Sequence, residues 1–189
     1  MKSWEKFYNE KLSEIAEAPA VHDIGGGAER QDKRRFKKYV LVDVNDRYHP
    51  DIVADIQHLP FADDSLDAIL CLSVLEHVEN PFFAMKELHR VLRPGGKALL
   101  SAPFVWPYHA APLYKDYWRF SGDALRLLCE PFSRVEIVQG GGYCSALVNF
   151  VPSFTKIDRI LRPVAAWIDA SMLGTNRSAV PEYFVFLVK

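Results

Sequence analysis

At 189 residues, 49% hydrophobic and 25% charged, the chain is long enough for one well-buried core and too short for two ordinary domains. Its 23 basic and 24 acidic side chains leave a formal net charge of −1, so no overall field attracts a polyanion and nucleic acid is not an expected partner. Three cysteines (Cys71, Cys129 and Cys144) give no disulfide framework, and without a Cys-x-x-Cys or His-x-x-x-His spacing no metal site is expected; a reducing, cytoplasmic compartment fits best.

The N-terminus opens charged and without an apolar signal core. Trp4, Tyr8, Leu12 and Ile15 recur at helical spacing, which predicts an amphipathic helix over 3–17 within an N-terminal segment of residues 1–20. Val21 to Ile24 reads as a short strand that runs into Gly25-Gly26-Gly27. A polar helix is expected from Ala28 to Lys38, with the basic run Lys33 to Lys38 as its solvated face. Tyr39 to Val44 and Ile52 to Ala54 are the next strands. Leu66 to Ser73 is nearly all apolar, as a central parallel strand buried on both faces should be. Asn80 and Pro81 start a helix as N-cap and first helical residue, and Arg93-Pro94-Gly95-Gly96 ends it and leads into the strand Lys97 to Ser101.

A helix from near Ser121 and a strand over Arg134 to Val138 follow. Residues 145–172 read as a mainly helical insert, interrupted by Pro152 and Pro163, that serves as a lid or a homodimer surface. The strand Tyr183 to Val188 ends the chain. No apolar run approaches transmembrane length, so stable membrane insertion is not expected. Strands alternating with helices over short connections predict an α/β class: a Rossmann-like, doubly wound, mostly parallel sheet in a single domain over 1–189.

In such a sheet, ligands bind beyond the carboxyl ends of the strands where the strand order reverses. The first strand ends in His22-Asp23-Ile24-Gly25-Gly26-Gly27, and glycines there let a ligand approach the backbone. The second ends at Asp43, 18 positions after Gly25, where a carboxylate can accept both ribose hydroxyls. These features alone fit a nicotinamide oxidoreductase as well. A dinucleotide site, however, prefers Gly-x-Gly-x-x-Gly to seat a pyrophosphate, and the third glycine position is Arg30 here.

Residues Asp51 to Pro103 carry, in order, Asp55, Leu59-Pro60-Phe61, a strand ending near Leu75-Glu76-His77-Val78, and Arg90-Val91-Leu92-Arg93-Pro94-Gly95-Gly96. With Val21–Gly27 and Val40–Val44, this resembles the central block of class I S-adenosylmethionine-dependent methyltransferases of small molecules. The resemblance implies that fold, with an antiparallel C-terminal strand, and S-adenosylmethionine as cofactor. It puts Asp23, Gly25, Gly26 and Gly27 around the methionine moiety, with Asp23 near the ammonium. Asp43 takes the ribose, with Val44 beside it. Asp55 accepts from the adenine amine, the Ile56 backbone N–H meets a ring nitrogen, and Ser73 lines the floor under the sulfonium. Two departures stand out. Glu29 replaces the loop's usual third glycine, and only Asn45 to Pro50 separates the second and third strands, so the fold is trimmed there and the adenine is either more exposed or covered by Tyr48 and His49.

Methyl transfer is an in-line displacement that needs positioning first, and a base only where the acceptor loses a high-pKa proton. His77, in the turn facing the methyl side, is the first candidate for catalysis, while His89 reads as structural, at the end of its helix. The loop from Pro103 to Phe120 is dense in aromatic residues and should overhang the cofactor, with His109 and Arg119 as acceptor residues. The order His, Pro, then Asp-Tyr-Trp-Arg-Phe-Ser is similar to methyltransferases of bacterial surface-polysaccharide pathways, implying a small-molecule or glycan-like acceptor. A non-catalytic module that binds S-adenosylmethionine needs no acceptor pocket and remains a second reading.

Overall fold

The computed structural model describes residues 3–27, 32–151, 156–171 and 180–189. Seven strands, β1 (Val21–Ile24), β2 (Tyr39–Asp43), β3 (Ile52–Val53), β4 (Leu66–Leu72), β5 (Leu92–Pro103), β6 (Arg134–Gly140) and β7 (Glu182–Val188), form one sheet in the order β3-β2-β1-β4-β5-β7-β6. β1 to β5 pair in parallel, and β7 runs antiparallel between β5 and β6. The order therefore reverses between β1 and β4, which locates the ligand crevice at their carboxyl ends.

Both faces of the centre are covered, which is why β4 reads as an apolar run: Ile69, Leu70 and Cys71 are fully buried. On one face α1 (Ser3–Ala16) sets Leu12 and Ile15 against Val21, Leu70, Leu99 and Phe186. Each fully buried aliphatic side chain contributes roughly 1.5–3 kcal/mol, so the two fasten this helix firmly. On the other face α2 (Pro81–Val91) buries Ala84, Met85, Leu88 and Val91, and α3 (Gly122–Leu128) adds Leu125 and Leu128. The side chain of Asn80 accepts from Phe82 N and Phe83 N, and that of Ser121 from Ala124 N; each caps its helix.

The polar helix expected over Ala28–Lys38 is corrected over its described part. Residues 32–38 hold only a 3-10 turn at Lys33–Arg35, and 28–31 lie outside the described residues. Of that part only Phe36 is buried, so the stretch has no apolar stripe to dock as a helix. The trimmed crossover is as expected: a 3-10 turn at Asp46–Tyr48, capped by the Asn45 side chain and closed at His49 with φ 50°, carries the chain from β2 to β3. β5 begins earlier than the sequence suggests, because Leu92 already pairs with Leu66 ahead of a register shift. The 145–172 stretch becomes α4 (Tyr143–Val148) and α5 (Lys156–Ser171, with Pro163 inside); 152–155 and 172 fall outside the described residues. Asp169 on α5 accepts from Cys144 N and Ser145 N at 2.9 Å each, which ties α4 to α5. Among the described residues no helix is long and apolar enough to cross a membrane.

Candidate functional site

At the crevice the ends of β1, β2 and β4 are stitched into one continuous rim. Gly25 leaves β1 at φ +72°, and its N–H donates to Val42 O at 2.7 Å. A Cβ on Gly25 would stand 2.6 and 2.7 Å from the two Val74 methyls, and one on Gly26 would meet Leu41 at 2.7 Å and Asp23 at 2.9 Å. Those two glycines are needed for packing. At Gly27, with φ +59°, a Cβ would have nothing within 4 Å, so this one faces open space.

Asp43, only 6% exposed, accepts from Gly27 N at 2.9 Å and from Asn45 N at 2.8 Å, one bond to each carboxylate oxygen. Each oxygen keeps a lone pair for a further donor. Val44 beside it is an exposed apolar side chain. Ala54 N donates to Asp43 O, which joins the end of β3 to the same rim. Asp55 accepts from Gln57 N at 2.8 Å and from the Gln57 side-chain amide; Gln57 Oε1 in turn accepts from Asn80 N, and Ile56 is buried below. Ser73 closes β4 in the left-handed region at φ 55°, with its N–H on Ser101 Oγ and Ser101 O at 3.1 Å each.

Asp23 lies under this rim rather than on it. It is 2% exposed and accepts from Tyr39 Oη at 2.7 Å. The two halves of the motif block also hold each other. Glu87 accepts from Leu59 N, while Arg90 donates to Leu59 O, Phe61 O and both Glu87 oxygens. The Leu-Pro-Phe segment is thereby clamped to α2, and the Asp55 turn before it is fixed in place.

The loop after β5 folds back over the turn after β4. Tyr117 N and Trp118 N both donate to Glu76 O, and Trp118 Nε1 donates to Val78 O at 2.8 Å. All five N–H groups of Arg119 are used inside this loop, on Asp116, Trp106 O, Pro107 O and Trp118 O. Asp116, its side chain fully buried, also accepts from His109 N, and the Arg119 guanidinium holds its carboxyl well below the usual carboxylate range.

His77 and His109, which the sequence places 32 positions apart, meet edge to face with ring centroids 4.9 Å apart. Burial lowers the His77 pKa from its ordinary value. Beneath them Glu76 is fully buried with no hydrogen-bond partner on either carboxyl oxygen, and burial raises its pKa to about 7. Glu182, at the start of β7, is likewise pushed up to about 7 by burial. A cavity of about 350 Å³ opens beside the loop, with Trp106, Pro107, His109, Phe150 and Arg162 in its wall.

Gly25, Gly27, Asp43 and the start of the 54–57 turn are joined along the carboxyl ends of β1 to β3 and Ser73 follows β4, while His77, His109 and Arg119 gather between the turn after β4 and the loop after β5. Reading the sequence for function missed Glu76, Asp116 and Glu182. Glu76 stands inside the Leu-Glu-His-Val motif, and Asp116 beside Arg119 was visible as a lone acid in an aromatic loop. Nothing local marks Glu182, whose burial comes from pairing with the ends of β5 and β6.

Residues 23–100 match the sequence family described as a methyltransferase domain. The ubiquinone/menaquinone biosynthesis C-methyltransferase UbiE of Bartonella tribocorum is 32% identical over 122 residues, 58% of this chain and 45% of that protein. The chain thus spans less than half the length of that relative. Among solved structures, a SAM-dependent methyltransferase from Archaeoglobus fulgidus superposes with a TM-score of 0.64 at 14% identity, over 98% of this chain and 92% of that one. The Haemonchus contortus phosphoethanolamine N-methyltransferase 2, solved in complex with S-adenosyl-L-methionine, superposes at 0.62 and 14% identity, over 96% of this chain and 52% of that one. The architecture is the class I methyltransferase fold, and the antiparallel C-terminal strand β7 is as the sequence leads one to expect.

Proposed function

With a methyltransferase domain over residues 23–100 set on the class I fold, we propose that this chain is an S-adenosylmethionine-dependent methyltransferase of a small-molecule or glycan-like acceptor. One observation carries the reading: the unbroken rim from Val74 through Gly25, Gly27 and Asp43 to the end of β3, at the point where strand order reverses.

The rim fits the cofactor. Open space at Gly27 leaves room for an approaching ligand, the buried Asp43 carboxylate keeps lone pairs for ribose hydroxyls, and the exposed Val44 offers an apolar edge to adenine. Asp55 and the Ile56 N–H recognise the base, and Ser73 floors the reaction centre. Asp23 works from below by shaping the glycine loop with Tyr39. When bound, S-adenosylmethionine supplies an activated methyl group to a nucleophile in line with it. The protein's contribution is then mainly positioning, worth roughly 7–11 kcal/mol in favourable cases.

His77 and His109 face the acceptor's nucleophilic atom, and the cavity beside His109 receives the acceptor body; its volume suits a small ligand. Arg119 acts as a positioning residue, because its donors hold the loop that carries His109. The α4–α5 segment covers the cavity from outside through Phe150 and Arg162. A cytoplasmic setting suits a cofactor and acceptor of this kind.

The test is calorimetric titration with S-adenosylhomocysteine and, separately, with NAD(H), followed by product detection over a panel of phenolic, quinol and sugar acceptors. Binding of S-adenosylhomocysteine alone, with a methylated product lost in His77→Ala, is the expected result. Binding of NAD(H) instead would overturn the proposal. S-adenosylhomocysteine binding with no product, and a cavity that admits no acceptor, would favour the non-catalytic binding module.

A further inference from the structure

We propose that Glu76, His77 and His109 form a binding site for one divalent transition-metal ion of the zinc class, at the acceptor end of the crevice. One donor atom from each of the three lies within 4.8 Å of the others, and His77 Nε2 stands 3.9 Å from Glu76 Oε1. A tetrahedral ion bound at about 2.0–2.1 Å needs donors about 3.3 Å apart, a contraction within reach of small side-chain rotations.

Three independent features give the cluster the character of a site. The first is Glu76. A fully buried carboxyl with neither oxygen hydrogen-bonded is costly, and a cation at this place removes that cost. The second is the orientation of the imidazoles. His77 Nδ1 is held by Lys115 O, and His109 Nδ1 by Pro107 O at 3.1 Å with Asp116 Oδ2 also 3.1 Å away. Partners of this kind fix the tautomer that protonates Nδ1, leaving each Nε2 as a lone-pair donor. The third is the support behind them. Asp116 is locked by Arg119, and Glu76 O is locked by Tyr117 N and Trp118 N, so the two segments that supply the donors are tied to each other.

Two histidines and one carboxylate are a familiar donor set for zinc with a fourth position left for an external oxygen. Here that oxygen belongs to water or to a hydroxyl-bearing acceptor in the cavity that His109 borders. No local spacing marks this cluster, since Glu76 and His77 are adjacent and His109 joins them only when the loop folds back. Metal binding itself does not rest on the methyltransferase reading; only the identity of the external oxygen does.

The experiment uses tag-free, full-length protein stripped with a chelator and titrated with zinc by calorimetry. Cobalt is substituted in parallel, to read coordination from its visible absorption. Saturable 1:1 binding, a tetrahedral cobalt spectrum and a raised melting temperature are expected. His77→Ala, His109→Ala and Glu76→Gln should each abolish these while S-adenosylhomocysteine still binds. His109 is part-exposed on a loop, so its variant keeps the test decisive should Glu76→Gln fail to fold. Weak, non-stoichiometric binding by the wild type, or 1:1 binding that survives in both histidine variants, overturns the site. Loss of S-adenosylhomocysteine binding with zinc binding intact would instead count against the proposed function alone.

Discussion

The sharpest test of the cofactor rim is the contrast between two glycines that look alike in sequence. Gly25 and Gly27 both lie in the left-handed region, at φ +72° and +59°, so alanine at either costs roughly 1–2 kcal/mol of backbone strain. They differ in what the new methyl meets. At Gly27 it meets nothing within 4 Å, whereas at Gly25 it falls 2.6–2.7 Å from both Val74 methyls and 3.2 Å from Val74 Cβ. Valine is stiff about χ1 and cannot swing both methyls away, so overpacking adds roughly 1–3 kcal/mol. Gly25→Ala should therefore lose about 2–5 kcal/mol in urea unfolding and Gly27→Ala about 1–2 kcal/mol, and Gly25→Ala should also weaken S-adenosylhomocysteine in calorimetry by displacing the loop. Val74→Ala combined with Gly25→Ala should recover the overpacking part, a coupling that a double-mutant cycle reads directly. Equal losses in the two single variants, or no recovery in the double one, would refute the packing of the loop against Val74 in the turn after β4.

Four further outcomes are expected. Asp43→Ala should weaken S-adenosylhomocysteine about ten- to a hundred-fold, from roughly 1.5–3 kcal/mol of charge-assisted hydrogen bonding, with wild-type affinity in calorimetry excluding the ribose role. Asp55→Asn should bind the adenine cofactor less well and an inosine analogue relatively better, because an amide donates as well as accepts; unchanged selectivity would remove Asp55 from base recognition. Arg119→Ala should lower the melting temperature and turnover while nearly preserving S-adenosylhomocysteine affinity, and Arg119→Lys should rescue poorly because one ammonium cannot replace a fork that donates to Asp116 and three carbonyls. Glu182 has its carboxyl pKa raised in the fold to about 7, so it costs stability progressively as pH rises from the unfolded value near 4.5 through 7, by at most about 3 kcal/mol. Glu182→Gln should accordingly stabilise the protein in thermal melts at pH 8 and not at pH 4, and a pH-independent difference would contradict the burial.

The geometry of the proposed cofactor half is legible in the sequence because its residues sit at strand ends, where hydrophobic periodicity itself marks position. Once β1 and β2 are read, Gly25 to Gly27 and Asp43 must meet, since parallel neighbours end at one edge. The same logic fails at residues 32–38, where a polar run between two strands predicts a helix yet carries no apolar stripe to dock one. The acceptor half was legible only as a list. His77, His109 and Arg119 were picked out singly, but their relation depends on a backbone contact between Glu76 and Tyr117 that no local pattern encodes. That contact also changes what Arg119 is for. A guanidinium in an aromatic loop suggests a grip on a ligand, yet with all its donors spent on Asp116 and backbone carbonyls it holds the loop. A buried carboxyl left unsatisfied in this region is that of Glu76, which belongs to a motif whose neighbours account for its position and not for its missing hydrogen-bond partners. A fold that satisfies Asp43, Asp55, Asp116 and Asp169 with hydrogen bonds has left the fully buried Glu76 carboxyl without any, beside two histidine rings. That juxtaposition is why the zinc titration of the histidine variants, rather than cofactor binding alone, is the experiment that distinguishes the proposed acceptor end from the proposed cofactor rim.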